Sequence, residues 1–211
     1  MKNPFKKKSL SGDVEKFIGV GTVQTVKINN IDELLEQLKP QDMVMILKQY
    51  LNHVLSIIQK YSGVIIRYEA HEVLAMWPPY HTNPSHAQLA FHASREILHT
   101  LSELVPSEKH KAYDIGIFLG SAEIIGDFFG PKNQFQVFGE AMAIVDQLSK
   151  ASNINGSFIL LSQHTTDLLN EPEGLEEIGL INRNNLDDLR IIAYRPVNKA
   201  VHRIAENSGT R

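Results

Sequence analysis

The residues of this chain best suited to metal or acid-base chemistry are its nine histidines. Three of them, His86, His92 and His99, lie six and seven positions apart in a segment with helical periodicity. Two histidines that chelate one metal from a helix are usually four positions apart. His81 and His86 flank the predicted start of that helix. We therefore interpret these side chains as surface or half-buried histidines rather than as metal ligands.

Other motifs for covalent or phosphate chemistry are missing from the sequence. The chain has no cysteine, which excludes disulfides, zinc-thiolate sites and cysteine nucleophiles. The glycines at Gly126 and Gly130 are not followed by the Gly-Lys-Ser/Thr of a phosphate-binding loop. No nucleophile elbow is present, so no Ser-His-Asp triad can be assigned.

Composition predicts one soluble domain in the cytoplasm. The chain has 211 residues, 43% of them hydrophobic and 21% charged. A net charge of -3 gives no overall attraction to nucleic acid. No apolar run is long enough for a transmembrane helix or a secretory signal. A small basic cluster is interpreted as a solvated leader, with a membrane or partner contact as the alternative: Lys2, Lys6, Lys7 and Lys8.

One long helix is predicted by a nearly unbroken apolar stripe after Pro40. The apolar residues recur at the spacing of a single helix face: Met43, Ile46, Leu47, Tyr50, Leu51, Val54, Leu55 and Ile58. Ser62-Gly63 ends the pattern. Before it, β-rich residues over 20–31 predict the first strand, with a turn signal at Asn29-Asn30.

The rest of the chain alternates short strands with two further helices. Segments 64–67 and 73–77 predict a hairpin with its turn at 69–72. Asn83-Pro84 predicts the N-cap and first-turn proline of a helix over about 84–104 that ends before Pro106. A strand at 115–119 is followed by an apolar arm that Gly126, Gly130 and Pro131 interrupt. A strand at 135–138 and a helix that begins at Gly139 come next. After an Asn155-Gly156 turn, the last predicted elements are a strand at 157–161 and weaker strands near 175–180 and 189–194.

This order of elements predicts an α+β fold. It contains the split βαβ of ferredoxin-like folds, a βαββαβ core with additional C-terminal strands, and we expect the helices to cover one face of the sheet. The predicted divisions are a flexible basic leader at 1–15, the folded domain at 16–197 and a C-terminal tail at 198–211.

From about Val20 to Leu168, with weaker agreement to Tyr194, the sequence resembles a class III adenylate or guanylate cyclase homology domain. The segments that carry the resemblance follow in the order and spacing of that family: 39–63, 73–77, the helix with Ala90 and Ala93, 115–120, 137–142 and 158–162. The resemblance implies the class III nucleotidyl cyclase fold.

In that family two aspartates hold two divalent metals, which activate the ribose 3′-hydroxyl and neutralise the triphosphate. The resemblance places these two slots at Asn30 and His71. Asparagine offers one neutral oxygen, and imidazole suits softer metals than Mg²⁺. We therefore expect no metal and no cofactor, with Mg²⁺ or Mn²⁺ only if the chain is an active cyclase.

The base-selecting and transition-state slots differ from the family pattern as well. The family's lysine and its polar partner correspond to Arg67 and Gln136, and a planar guanidinium does not replace a point donor in a fitted pocket. The asparagine and arginine of the next helix correspond to Ala143 and Gln147. The Ala143 side chain cannot hydrogen-bond, and Gln147 cannot neutralise phosphate. Loss of one preorganised donor costs on the order of 10²- to 10³-fold in rate. We expect cyclisation to be abolished.

Three carboxylates near the metal slots could supply shifted ligands. In a strand or tight turn, a shift by one position sends a side chain to the opposite face. Of Asp32, Glu69 and Glu72, only Glu69 keeps the parity of its slot. We interpret all three as solvated turn carboxylates, and a rebuilt metal site is the alternative.

In the family the active site lies between two protomers, one giving the metal aspartates and the other the base and transition-state residues. This chain lacks both sets. The resemblance implies that the apolar arm, with Ile124-Ile125 and Phe128-Phe129, reaches across the dimer; a local cap on the sheet is the alternative. Lys27 replaces an apolar family residue, so it either snorkels from the core side or faces a protein interface.

We predict a catalytically inactive cyclase-like domain that acts through protein contacts in intracellular signalling. Its partner would be a second copy, a related domain or another signalling protein. Two alternatives stay open: a nucleotide or ligand sensor that uses the vestigial pocket with Arg67 as its anchor, and a weakly active cyclase.

Overall fold

The computed structural model describes residues 16–103, 113–131, 134–152, 156–170, 173–183 and 187–195. Its strands are β1 (Phe17–Ile28), β2 (Val64–Tyr68), β3 (Glu72–Trp77), β4 (Ile115–Phe129), β5 (Gln134–Gly139), β6 (Phe158–Ser162), β7 (Leu175–Ile181) and β8 (Leu189–Tyr194). Its helices are α1 (Ile31–Gln37), α2 (Pro40–Lys60), α3 (His86–Glu103), α4 (Glu140–Ala151) and α5 (Gln163–Asp167). The predicted leader, the tail, Leu104, Pro106 and Asn155 lie outside the described residues.

All eight strands belong to one sheet with the order β2-β3-β1-β4-β6-β8-β7, and β5 pairs with β4 off this path. β1 is central and antiparallel to both β3 and β4. β4 and β6 are parallel, with α4 in the connection between them. The prediction of an α+β fold with a ferredoxin-like core and additional C-terminal strands is confirmed.

The helices occupy both faces of this sheet, so the prediction that they cover one face is wrong. Successive residues of β3 belong alternately to two separate clusters of buried side chains. Ala75 and Trp77 pack with α2 and α3, whereas Leu74 and Met76 pack with α4. A strand that is buried on both faces reads as a continuous apolar run, and 73–77 is such a run.

The long helix α2 confirms the apolar stripe seen in the sequence. It buries six side chains and begins with Pro40 at its first position: Met43, Ile46, Tyr50, Val54, Ile57 and Ile58. The Tyr50 hydroxyl donates to the Val26 carbonyl oxygen at 2.9 Å. The helix is therefore fixed to the central strand by a buried hydrogen bond as well as by apolar packing.

The start of α3 differs from the prediction. The helix begins at His86, and the hydroxyl that accepts from a first-turn amide is that of Ser85, 3.1 Å from the Gln88 nitrogen. Asn83-Pro84 is a cis peptide before the helix, not its cap and first turn. Both Asn-Pro and Ser are common before helices, so the sequence did not distinguish them.

The arm is more regular than the sequence predicted. β4 continues without interruption through Gly126 to Phe129 and pairs along its second half with β5. Gly126 leaves room for the ring of Phe17, which a Cβ at that position would meet. The missing side chain of Gly126 therefore lets Phe17 pack on one face of the three-stranded arm that β1, β4 and β5 form.

Two short helices were not predicted. Residues 31–37 form α1 directly after the Asn29-Asn30 turn, and residues 163–167 form α5 directly after β6. Seven and five residues are too few for a helical period to show in sequence. Across the described ranges, no helix has the length and apolar character needed to cross a membrane.

Candidate functional site

The fold brings together the two positions that were predicted to be metal slots. The Ile28 amide, at the end of β1, donates to the His71 carbonyl oxygen at 3.0 Å. His71 lies in the turn between β2 and β3, and β3 pairs with β1 so that Glu72 lies opposite Lys27. Asn30 and His71 therefore meet at one end of the sheet.

The side chain of Asn30 is engaged in the structure of the chain itself. Its Oδ1 accepts a hydrogen bond from the Asp114 amide at 3.0 Å, and the Asn29 amide donates to the Asp114 carbonyl oxygen at 2.7 Å. These bonds tie the turn after β1 to the residue that precedes β4. The amide oxygen of Asn30 thus stabilises a turn.

The hairpin carries an ion pair beside this turn. Arg67 Nη2 lies 3.4 Å from Glu72 Oε1, and the Arg67 side chain is 63% exposed. An exposed pair at this distance contributes little to stability. The ion pair holds the Glu72 carboxylate of β3 next to the Arg67 guanidinium of β2. Asp32 and Glu69, the other carboxylates near the slots, lie in the first turn of α1 and in the hairpin turn.

Lys27 lies between the sheet and α4. Its Nζ donates to Ser149 Oγ at 2.8 Å and lies 5.1 Å from the centre of the Phe118 ring. Burial lowers the pKa of the Lys27 ammonium, and the nearby Glu72 carboxylate opposes that shift. Of the two predicted alternatives for Lys27, the core side is the one observed.

A small cavity of about 130 Å³ lies beside this ammonium, between the sheet and α4. The sheet contributes Thr25, Arg67, Glu72 and Leu74, and α4 contributes Met142, Val145, Asp146 and Ser149. Cavities that hold drug-sized ligands measure roughly 300–1,000 Å³. Within a single chain this cavity has room for a few water molecules.

The two predicted transition-state slots lie one turn apart on α4 and are not among its fully buried residues. The helix buries Ala141, Ile144, Val145 and Leu148. Ala143 is exposed, while Gln147 is partly buried and its Oε1 has no hydrogen-bond partner. Neither residue lines the cavity beside Arg67. Gln136, the remaining base-selecting slot, is exposed on β5 opposite Asp127 of β4.

Five exposed apolar side chains lie on one face of the arm, which they share with Asp127 and Gln136. Ile18 of β1 pairs with Ile125 of β4, which pairs with Phe138 of β5. The Phe138 and Phe129 rings lie 5.3 Å apart. We call the group the arm surface, and its exposed fractions run from 41% to 71%: Ile18, Val20, Ile125, Phe129 and Phe138. On the opposite face, Phe17 and Phe128 both pack against Phe135.

A larger cavity, of about 430 Å³, lies at the far end of β6 between α4 and α5. Arg183 lies at its edge with only 10% of its side chain exposed. Its Nη1 is 2.9 Å from Glu140 Oε1, and its Nε donates to the Asp187 carbonyl oxygen at 2.7 Å. This cavity and its arginine were not predicted, because they depend on pairing between distant strands.

The three histidines of α3 do not converge on one point. His86 is buried, and its Nδ1 lies 2.8 Å from Thr22 Oγ1. His92 is exposed and hydrogen-bonds to Gln88 on the same helix. In the ranges that the structure describes, no group of three or more histidine, aspartate and glutamate side chains is arranged to hold a metal ion.

Comparison with solved structures shows the fold. The adenylyl cyclase CyaB from P. aeruginosa superposes with a TM-score of 0.71 at 17% identity, over 88% of this chain and 98% of that one. The guanylate cyclase domain of RhGC from Catenaria anguillulae, solved with GTP, gives 0.70 at 14% identity over 85% and 97%.

A third similar structure is described as a non-canonical dimer. This guanylyl cyclase domain of the RhoGC fusion protein from Blastocladiella emersonii gives a TM-score of 0.67 at 13% identity, over 86% of this chain and 98% of that one. No family model matches the sequence, and no curated protein matches it. The chain has the fold of class III nucleotidyl cyclase catalytic domains.

Proposed function

We propose that this chain is a cytoplasmic cyclase-fold module that does not cyclise nucleotides and acts through protein contacts in signalling. The observation that carries the proposal is the state of the two metal slots. At the end of the sheet where β1 meets the hairpin turn, the chain has Asn30 and His71, and the Asn30 oxygen is bonded to the Asp114 amide. A carboxylate pair for Mg²⁺ is not supplied by these two positions.

The two predicted slots on α4 support the same conclusion. A cyclase needs groups there that stabilise charge on the reacting phosphate. Ala143 has no polar side-chain atom, and Gln147 is neutral: its amide nitrogen can donate a hydrogen bond, but it cannot neutralise phosphate charge as an arginine does. Both halves of a composite site are therefore deficient, so pairing with a complete cyclase would leave each shared site impaired.

The arm surface supports a role in protein contacts. Five large apolar side chains lie on one face of a twisted three-stranded extension, where they are exposed to solvent. Contiguous apolar surface of this kind marks interaction sites in soluble proteins. The similar domain from Blastocladiella emersonii is described as dimeric. We propose that this chain forms a dimer through the arm, with a second copy or a related domain.

Product assays test the absence of catalysis directly. The purified chain is incubated with ATP or GTP and either Mg²⁺ or Mn²⁺, and cyclic nucleotide is measured by chromatography. We expect no product above the background of a heat-denatured control. Cyclic product that scales with the concentration of folded chain would overturn the proposal.

A ligand sensor is the second candidate, and the position of Arg67 favours it. This cation lines the cavity between the sheet and α4 and is largely exposed. However, about 130 Å³ is too small for a whole nucleotide. A ligand that binds only the folded chain must raise its melting temperature. A rise with ATP or GTP that Arg67→Ala removes would favour the sensor over the interaction module.

A further inference from the structure

The contact between the start of α3 and the end of α5 is built around a buried histidine. His86, the first residue of α3, is 8% exposed. Its Nδ1 lies 2.8 Å from Thr22 Oγ1, which lies 2.7 Å from Ser121 Oγ. Thr22 and Ser121 are paired on the neighbouring strands β1 and β4. A short chain of hydrogen bonds therefore links the start of α3 to the sheet.

The same turn of α3 also holds the segment that follows α5. The Ser85 hydroxyl donates to the Leu168 carbonyl oxygen at 3.2 Å, and the Asn170 amide donates to Gln88 Oε1 at 2.9 Å. Ser85 and Gln88 flank His86 on both sides. Any movement of His86 away from the sheet would therefore strain both contacts to the α5 segment.

The charged groups around His86 disfavour its protonation. Burial lowers the pKa of His86, and His164 of α5 and His81 of the preceding loop lower it further when they are charged. The elements on the sheet side present the neutral hydroxyls of Thr22 and Ser121. The amino end of a helix also repels a positive charge. A protonated His86 is more stable when it is hydrated, because burial is unfavourable for a cation.

Helix α5, which directly precedes the segment bonded to α3, forms one wall of the larger cavity. Gln163, His164 and Asp167 line it, and Ser121, at the end of the hydrogen-bonded chain from His86, lies on its floor. We propose that the contact of α3 with α5 is an acid-sensitive latch: protonation of His86 releases the α5 segment from α3 and opens the 430 Å³ cavity at its α5 wall. This inference does not depend on the absence of cyclase activity.

Hydrogen exchange of the full chain tests the latch. Amide exchange is measured from about pH 8 to about pH 5, the range in which histidines titrate, and is corrected for intrinsic rates. We expect the Leu169 and Asn170 amides to lose protection by up to about tenfold per pH unit, since one proton is taken up on opening. Amides of α4 serve as the internal reference.

Two variants separate the latch from a general loss of stability. His86→Asn keeps a neutral polar group near the Nδ1 position and should abolish the pH dependence at Leu169 and Asn170. The matched control His53→Asn, on α2, should leave it unchanged. If His86→Asn does not fold, His164→Asn replaces it: removing the repelling charge makes the closed state with protonated His86 less unfavourable, so the total loss of protection on acidification should be smaller.

Three results would overturn the latch. The first is a loss of protection in the α5 segment that equals the loss in α4. The second is an unchanged pH dependence in folded His86→Asn. The third is a loss of protection in His164→Asn that is as large as in the wild type.

Discussion

The Lys27 ammonium lies 2.8 Å from the Ser149 hydroxyl and so joins the central strand β1 to α4. On this face of the strand, Thr25 lines the small cavity and Val23 packs in the α4 cluster. Lys27 is thus a charged side chain that spans the space between the sheet and the helix, next to the small cavity and the predicted metal slots.

Lys27→Met should change the pH dependence of stability in a defined direction. Burial lowers the folded-state pKa of Lys27 below its ordinary 10.5, so the unfolded chain binds more protons between those two values. The free energy of unfolding of the wild type should therefore rise relative to that of Lys27→Met as the pH increases through this window.

Chemical denaturation at a series of alkaline pH values measures this difference. Burial raises the pKa of Tyr50, but that contribution is common to both proteins and cancels. Lys150→Met, at a lysine that is 74% exposed, is the control and should show no such trend. A flat difference for Lys27→Met would contradict the prediction.

Restoring four side chains should create a measurable cyclase if the missing groups are what abolish catalysis. The variant combines Asn30→Asp, His71→Asp, Ala143→Asn and Gln147→Arg. Because each restored donor or metal ligand contributes on the order of 10²-fold or more, we expect product formation with Mn²⁺ to exceed the wild-type background by about 100-fold or more. Equal activity in both proteins would show that other features of the cleft prevent the reaction.

Acidic substitutions on the arm surface should weaken the proposed dimer. Ile125→Asp combined with Phe138→Asp removes two apolar side chains that pair across β4 and β5. Their burial would contribute roughly 3 kcal/mol or more, which corresponds to an increase in the dimer Kd of about 100-fold or more. Sedimentation velocity over a range of concentrations measures the Kd. Leu180→Asp, at a residue of β7 that is 55% exposed, is the control. An equal increase in the dimer Kd for Leu180→Asp would contradict the arm surface as the dimer interface.

Replacement of Gly139, which directly precedes α4, should lower the free energy of unfolding more than replacement of Gly130. Its φ is 137°, and a Cβ there would overlap the Glu123 carbonyl oxygen on the neighbouring strand. Gly130 has a φ of 72° with open space around it. We expect Gly130→Ala to cost roughly 1–2 kcal/mol through backbone strain alone, and Gly139→Ala to cost clearly more, as measured by urea denaturation. If both substitutions lowered the free energy of unfolding equally, the contact between the Gly139 backbone and the Glu123 carbonyl oxygen would not be what requires glycine there.

Tyr50→Phe should destabilise the chain through one buried hydrogen bond. The Tyr50 hydroxyl is fully buried and donates to the Val26 carbonyl oxygen at 2.9 Å. Its loss should lower the free energy of unfolding by about 1–2 kcal/mol, because the carbonyl is left without that partner away from water. Tyr68→Phe, at a tyrosine that is 46% exposed, should change stability by less than about 0.5 kcal/mol. Thermal and urea unfolding measure both variants.

The sequence predicted those parts of the fold that depend on local periodicity. The apolar stripe of α2 and the two short apolar runs of the β2–β3 hairpin could be recognised from neighbouring residues alone. The start of α3 could not be resolved, because Asn83-Pro84 and Ser85 are both typical of helix starts and tertiary contacts decide between them. α1 and α5 were too short to show a period.

The role of the assigned site residues stays a prediction, and the contacts that the structure shows around them were not predicted. The resemblance placed Asn30 and His71 in their slots, and the strand register brings them to one end of the sheet. The bond from Lys27 to Ser149 joins residues 122 positions apart, and that between Arg183 and Glu140 joins residues 43 apart. Contacts of this range depend on the three-dimensional fold, and a single sequence carries no local signal for them.

The pairing of β1 with β4 has a consequence for how the chain is made. The hydroxyls of Thr22 and Ser121, which meet in the middle of that pairing, are 99 positions apart. A ribosome must therefore synthesise the chain through Ser121 before β1 can pair with β4, whereas β3 is available earlier. Until then the edge of β1 that faces β4 remains unpaired, and non-local pairing of this kind is slow and prone to aggregation. We expect nascent chains to need chaperone assistance during synthesis.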